Sequence, residues 1–184
     1  MSHIRLIAGR FGGRKIAAPP YDNVRTHPMS ERIRNAIFNS LGGRVQQAVV
    51  LDVFAGTGSV GFEALSRGAS SVIFIESDRL AARLIDENRR ALAVESSTKL
   101  IKTKFFNWFT SKKDEELYDI IFADPPYHDT QVGSVLKLET LLKPDGILIL
   151  SWPEQHVIPQ FDSLVVADQR AYAGAKIIYY QFAG

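Results

Sequence analysis

From residue 49 onward the chain alternates short apolar runs with segments of helical pattern, and that alternation confines it to very few architectures. The runs at 49–54, 71–76, 99–103, 119–123 and 146–151 are rich in Val, Ile, Leu and Phe, as strands buried on both faces are. Segments 59–67, 78–93 and 131–142 read as helices, and a short helix fits 106–111. Gly68 and Gly146 stand where turn glycines are expected after two of the helices. Such alternation predicts a doubly wound α/β sheet, with ligands held at the carboxyl ends of parallel strands. Further strands at 164–166 and 176–180, joined around Gly174, would add antiparallel pairing and complete a mostly parallel seven-stranded sheet. Three acids fall at the predicted carboxyl edge: Asp52, Glu76 and Asp124, on the first, second and fourth strands.

The first 44 residues have a different character. Ile4-Arg5-Leu6-Ile7 and Arg14-Lys15-Ile16 flank a turn at Gly12-Gly13 and read as a hairpin. After Pro19-Pro20 and a loop carrying Thr26-His27-Pro28-Met29, Ser30 is a plausible N-cap. The helix that follows would place Ile33, Ala36, Ile37 and Leu41 on its apolar face and Arg34 on another side. Gly42-Gly43 ends it. Residues 1–44 hold eight basic residues against two acids, whereas the remainder holds 14 against 18. A basic end on a near-neutral body suggests a polyanion footprint. The competing reading is a solvated surface with chance asymmetry. Arg10, Arg14, Lys15, Arg32 and Arg34 are the candidate contacts.

The first strand runs into a glycine-rich turn, Asp52-Val53-Phe54-Ala55-Gly56-Thr57-Gly58-Ser59-Val60-Gly61. Gly56, Gly58 and Gly61 spell G-x-G-x-x-G, which also marks dinucleotide sites. A pyrophosphate wants an uncluttered, positive helix N-terminus. Asp52, four residues before the first glycine, instead suits a ligand bearing an ammonium group. S-adenosylmethionine carries an ammonium and a sulfonium and no phosphate. Glu76 ends the second strand, where an acid can accept hydrogen bonds from ribose hydroxyls, with Ser77 beside it. Asp52, Phe54, Gly56, Gly58, Glu76 and Ser77 are therefore expected around that cofactor. Asp78 reads only as an acid opening the next helix.

Asp124-Pro125-Pro126-Tyr127 follows the apolar run Ile120-Ile121-Phe122-Ala123. A carboxylate and a rigidly held Pro125 carbonyl can together accept two hydrogen bonds from a planar –NH₂ group. Pro126 stiffens the loop, and the Tyr127 ring offers a face on which a base can stack. The bland alternative is a turn after a strand.

These motifs resemble those of class I methyltransferases: D-x-F-x-G-x-G at the first strand, and D-P-P-[YF] in enzymes that modify exocyclic amino groups of nucleobases. Taken with Ile7-Ala8-Gly9, Gly12-Gly13-Arg14-Lys15, Ser30-Glu31-Arg32-Ile33-Arg34, Phe38-Asn39 and Glu63 to Ala69, the chain resembles bacterial 16S ribosomal RNA guanine-N2 methyltransferases nearly end to end. The resemblance implies a Rossmann-like fold with an N-terminal hairpin and helix beside the RNA. It also implies S-adenosylmethionine as cofactor and Asp124, Pro125, Pro126 and Tyr127 as the catalytic set. Two departures stand out. The family's Thr-Arg-Pro-Thr loop is here Thr26-His27-Pro28-Met29. The Asp or Asn that many relatives place after the third strand is replaced by Lys104-Phe105-Phe106-Asn107-Trp108, where Asn107, or backbone groups with Phe105 or Phe106 stacking, are the candidate adenine contacts and helix core is the alternative for the aromatics. The expected substrate is ribosomal RNA, within the small subunit or an assembly intermediate. A DNA adenine-N6 methyltransferase, a nicotinamide dehydrogenase and a non-enzymatic RNA-binding module are the competing readings.

The length of 184 residues suits one domain, with 1–44 as an extension and 45–184 as the catalytic sheet. The chain has no cysteine, which excludes disulfides and thiolate metal sites. His3, His27, His128 and His156 show no ligand spacing, so no metal is expected. No apolar run approaches the roughly 18 residues of a membrane span, and no signal-peptide pattern opens the chain, so a cytoplasmic monomer is expected.

Overall fold

The computed structural model describes residues 2–20, 29–112, 115–172 and 174–184. The loop Thr26-His27-Pro28 therefore lies outside the described residues. Strands β1 (Ser2–Arg5) and β2 (Lys15–Ala18) pair antiparallel, and α1 (Glu31–Leu41) follows. The Ser30 hydroxyl accepts from Ile33 N at 3.3 Å and caps α1. The sheet is built from β3 (Val49–Val53), β4 (Ser71–Ile75), β5 (Thr98–Ile101), β6 (Tyr118–Ala123), β7 (Leu142–Pro153), β8 (Leu164–Tyr172) and β9 (Ala175–Phe182). Its order is β5-β4-β3-β6-β7-β9-β8. The first five strands pair in parallel, and β9 pairs antiparallel with both β7 and β8. The expected seven-stranded α/β sheet with its N-terminal hairpin is present.

Helices α2 (Ser59–Ser66) and α3 (Arg79–Leu92) connect the first three sheet strands. Asp78 caps α3 by accepting from Leu80 N and Ala81 N, both at 2.9 Å. The remaining helices are α4 (Phe105–Ser111) and α5 (Val132–Val135). The expected helix at 131–142 is only that single α-turn followed by a 3-10 stretch at Leu136–Leu141. Val132, Gly133, Ser134 and Val135 are weak helix formers, and Gln131 enters with φ of 47°. Gly146 is no turn after a helix. It lies within β7, where pairing with β6 shifts register between Tyr118 and Ile120, and a Cβ there would sit 2.7 Å from Leu142 Cδ1.

One face of the sheet packs against α1, α2, α3 and the hairpin, around Phe38, Phe62, Phe74 and Phe122. The other carries Phe105, Leu138, Leu148 and Trp152. Phe105 of α4 is buried in this second core, with Trp108 and Phe109 against it, so helix core is the role of those three aromatics.

The hairpin joins the first core through one buried acid. Glu63 of α2 is fully buried and accepts from Ile7 N at 2.7 Å, Ala8 N at 3.2 Å and Arg67 Nε at 2.7 Å. Asn88 of α3 brackets Ala17, accepting from its N–H at 2.7 Å and donating to its carbonyl at 3.0 Å. Replacing Glu63 with alanine leaves the Ile7 and Ala8 amides and Arg67 Nε without this acceptor, while Arg67 keeps its bond to Asn35 Oδ1 at 3.1 Å, at about 1–3 kcal/mol for each group left buried. The expected result is release of the hairpin, read as proteolytic cleavage between residues 5 and 18 while the sheet stays resistant. A variant as resistant as the native chain would contradict this.

Candidate active site

The chain reverses its direction of travel across the sheet between β3 and β6. From β3 it steps outward to β4 and β5, then returns to β6 on the other side of β3. In a doubly wound sheet the loops above two such strands diverge, and ligands bind at that switch point. Asp52 stands one residue before the end of β3, and Asp124 follows β6 directly. Asp52 pairs with Phe122 in register, and Val53 with Ala123, so the two acids stand close together at the switch point. Glu76 follows β4 on the other side of β3.

Asp52 is buried and its Oδ2 accepts from Gly61 N at 3.0 Å, in the first turn of α2. Gly61 must be glycine here, because a Cβ would meet Phe74 Cε1 at 2.3 Å and Asp52 Oδ2 at 2.9 Å. Burial drives the Asp52 carboxyl well above its usual range. The Gly61 amide opposes that, and the charges of Asp124 and Glu76 add to it. Burial also raises Glu76, against the amides of Asp78, Gly56 and Ser77. The Glu76 carboxylate accepts from Gly56 N at 2.6 Å and Asp78 N at 2.7 Å, which ties the glycine turn to β4. Asp124 is half-buried, and loss of hydration raises its carboxyl while a hydrogen bond from Ser151 lowers it.

This donor set fits S-adenosylmethionine. The charges acting on Asp52 are both negative, and an ammonium and a sulfonium would relieve that repulsion where a pyrophosphate would worsen it. A Cβ on Gly56 would meet nothing within 4 Å, so the turn borders open space. Phe54 holds φ of 60°, a left-handed conformation that a bulky side chain rarely adopts and that often marks functional sites. Among the described residues no group of His, Cys, Asp or Glu could hold a metal ion.

Beyond β6, Pro125 is buried and Pro126 exposed. The Pro126 carbonyl accepts from Asp129 N at 2.9 Å, closing a turn. No described group donates to the Pro125 carbonyl. Tyr127 is 39% exposed, with its hydroxyl 2.9 Å from Ser151 Oγ. Sequence reading missed Ser151. Its only signal was one hydroxyl in the apolar run of β7. Phe106 is exposed on α4 with the Lys137 ammonium 5.9 Å from its ring centre, and Asn107 beside it is exposed too. Ser77 is exposed and lines a groove of about 610 Å³ together with Arg79, Arg83, Arg90 and Lys102.

The expected basic contacts separate into two groups. Arg10, Arg14, Lys15 and Arg32 are exposed. Arg10 and Arg14 lie over the Phe11 ring at 4.5 and 5.5 Å, and Arg14 also donates to Ala91 O at 2.6 Å. Arg34 is buried, at 2% exposure, and donates to Met29 O at 2.7 Å and Arg5 O at 2.9 Å. It lies on the inner face of α1 with Ile37, Phe38 and Leu41. Spacing placed it on another side because a helical pattern treats every cation as outward-facing. Here two carbonyls accept from the guanidinium while its buried Nε has no partner among the described residues; burial lowers its pKa, and the charges of Glu63 and Glu31 oppose that. The structure gives Arg34 no surface for a phosphate. The hairpin turn itself packs on the C-terminal end of α2, where Phe11 N donates to Ser66 Oγ at 3.0 Å. That is the amino edge of the sheet, since Gln47 N and Ala48 O, just before β3, bond Gly68 O and Ser70 N. The basic turn thus stands about 16 Å, roughly five residues of strand, from the acids.

Comparison with known proteins agrees with this geometry. A family model described as "Conserved hypothetical protein 95" matches residues 4–181. The Ribosomal RNA small subunit methyltransferase D of Haemophilus influenzae is 34% identical over 79% of this chain and 76% of its own. Its Escherichia coli namesake is 33% identical over 67% of this chain and 60% of its own. A solved Escherichia coli methyltransferase, yhhF, superposes with a TM-score of 0.86 at 25% identity, covering 98% of each chain. A methyltransferase complexed with SAH shares the fold, with a TM-score of 0.66 at 17% identity over 81% of this chain and 48% of its own. The match over nearly the whole chain, on a sheet with its acids at the switch point, shows that this chain belongs to the family described as Conserved hypothetical protein 95, alongside the small-subunit ribosomal RNA methyltransferases D.

Proposed function

We propose that this protein transfers the methyl group of S-adenosylmethionine to the exocyclic N2 amino group of a guanine in small-subunit ribosomal RNA. The observation that carries the reading is the placement of Asp52 and Asp124 on adjacent strands at the switch point, the first beside the glycine turn and the second opening Asp-Pro-Pro-Tyr. When bound, S-adenosylmethionine supplies a methyl group already activated on sulfur. Asp52 would hold its ammonium and Glu76 its ribose hydroxyls, with Phe54, Gly56, Gly58 and Ser77 around them and Phe106 and Asn107 as the adenine contacts. Asp124 and the Pro125 carbonyl accept the hydrogens of the target amine. That favours a tetrahedral nitrogen whose lone pair is free to attack. Tyr127 stacks on the base, and Asp124 is the nearest acceptor for the proton that leaves.

The substrate we propose is the small subunit or an assembly intermediate, bound by one copy of the chain in the cytoplasm. An extended footprint supports this choice, since Arg10, Arg14, Lys15 and Arg32 stand apart from the acids and would meet backbone away from the target nucleotide. Specificity would then rest on substrate shape, with the base swung into the crevice. The test compares methyl incorporation into purified small-subunit RNA, partly assembled particles and a short hairpin bearing the target loop, with mass spectrometry of the product nucleosides. N2-methylguanosine formed preferentially on particles is the expected result. N6-methyladenine in DNA would replace the reading with its nearest rival.

RNA affinity should depend steeply on salt. Each phosphate neutralised contributes a log–log slope of roughly −0.7 to −0.9. Replacing Arg14 and Lys15 together should flatten that slope by about one to two units and leave cofactor affinity unchanged. Filter binding across a salt series measures it, and an unchanged slope would return these residues to ordinary solvated surface.

A further inference from the structure

We propose that Ser151 is a positioning residue for methyl transfer: its hydroxyl joins Tyr127 to Asp124, orients both, and leaves one Asp124 oxygen free for the target amine. The inference rests on the reading of the site given above. From Ile147 to Pro153, β7 is buried and apolar apart from this one residue, and Ser151 itself is 3% exposed. A hydroxyl in such a strand needs hydrogen-bond partners. Its hydroxyl lies 2.9 Å from that of Tyr127, and the pairing of Leu150 with Ala123 sets Ser151 beside Asp124 at the end of β6, whose carboxyl it lowers.

Proton counting gives the chain of bonds a direction. A serine hydroxyl carries one hydrogen, and an ionised carboxylate only accepts. Ser151 therefore donates to Asp124 and accepts from the Tyr127 O–H. The phenol is tied at its tip while the ring, 39% exposed, keeps a face open. The groups facing Asp124 are Asp52 from β3, Tyr127 from its own loop and Ser151 from β7. Loss of hydration raises the Asp124 carboxyl, and the Ser151 hydrogen bond opposes that rise. Without the hydroxyl, Asp124 ionises at higher pH and swings free of its tether.

The test is single-turnover methyl transfer to ribosomal RNA across a pH series, with cofactor affinity measured by calorimetry. Ser151→Ala should lower the rate constant about 10-fold or more at neutral pH and leave cofactor affinity unchanged. The acid limb of its pH profile should move upward. Ser151→Thr keeps an oxygen at the same position and should restore both rate and limb. Tyr127→Phe keeps the Ser151–Asp124 bond, so its acid limb should stay in place. An unchanged rate and profile in Ser151→Ala would overturn the inference, as would a slowed Ser151→Ala whose limb does not move. Failure of Ser151→Thr to recover would overturn it as well. If native protein moves no methyl group to ribosomal RNA while binding cofactor, the functional reading fails instead.

Discussion

Replacing Asp124 with alanine should abolish methyl transfer and leave cofactor affinity close to native, or slightly improved. Asp124 opens the loop after β6, whereas the glycine turn follows β3, so in the proposed reading its acceptors would meet the target amine and not the methionine end of the cofactor. Losing one preorganised acceptor at the reacting nitrogen should slow the chemical step about 100-fold or more. The slight gain in affinity has an electrostatic origin. Burial is the main reason the Asp52 carboxyl is raised, and the Asp124 charge adds to it, so removing that charge eases ionisation of Asp52 toward an ammonium. Rapid-quench assays with labelled cofactor, beside calorimetry, separate the two effects. A variant that turns over at near-native rate would show that Asp124 does not hold the amine. One that loses cofactor binding would move Asp124 into the cofactor's own site.

Asp52→Asn should nearly eliminate cofactor binding and yet yield a more stable ligand-free protein. The neutral amide still accepts from Gly61 N, so the turn is kept. What disappears is a buried carboxylate facing two other acids. The loss to a ligand ammonium is roughly 1–3 kcal/mol for the unpaired hydrogen bond, and more for the missing charge. The gain in fold stability follows from linkage. Unfolded, Asp52 titrates near the ordinary aspartate value of 3.8, and in the fold burial holds it well above that. The folded chain therefore holds a proton that the unfolded chain releases. The stability this contributes is complete below the unfolded value and is lost as pH rises through the folded one. The native protein should become less stable over that range, and Asp52→Asn should flatten the slope. Its melting midpoint at neutral pH should rise by roughly 2–4 °C for each kcal/mol recovered. Native affinity for S-adenosylmethionine should itself rise with pH through the same range, as binding expels the proton. Calorimetry in buffers of different ionisation enthalpy would detect that release. A melting midpoint below native would mean Asp52 is ionised and internally compensated.

Residue order alone determined the sheet and the carboxyl edge of its parallel strands. Short apolar runs separated by helical patterns admit few alternatives, because a strand buried on both faces needs helices above and below it. Asp52, Glu76 and Asp124 were legible for the same reason: each follows or ends such a run, and parallel strands bring those ends together. Residue order also located the cap Ser30, because capping depends on atoms three residues apart, and it placed Asp78 at the opening of α3, where the structure shows it capping. Only the tertiary structure decided matters that turn on distant partners. Arg34 became an internal guanidinium because Arg5 O and Met29 O, from the hairpin and its loop, lie within reach. Phe105 entered the core and Phe106 did not, which depends on how α4 sits on the sheet. Glu63 acquired its docking role from amides 55 and 56 residues away. Ser151 joined the site only because β7 lies beside β6, and one hydroxyl in an apolar run carries no mark of the neighbour it will meet.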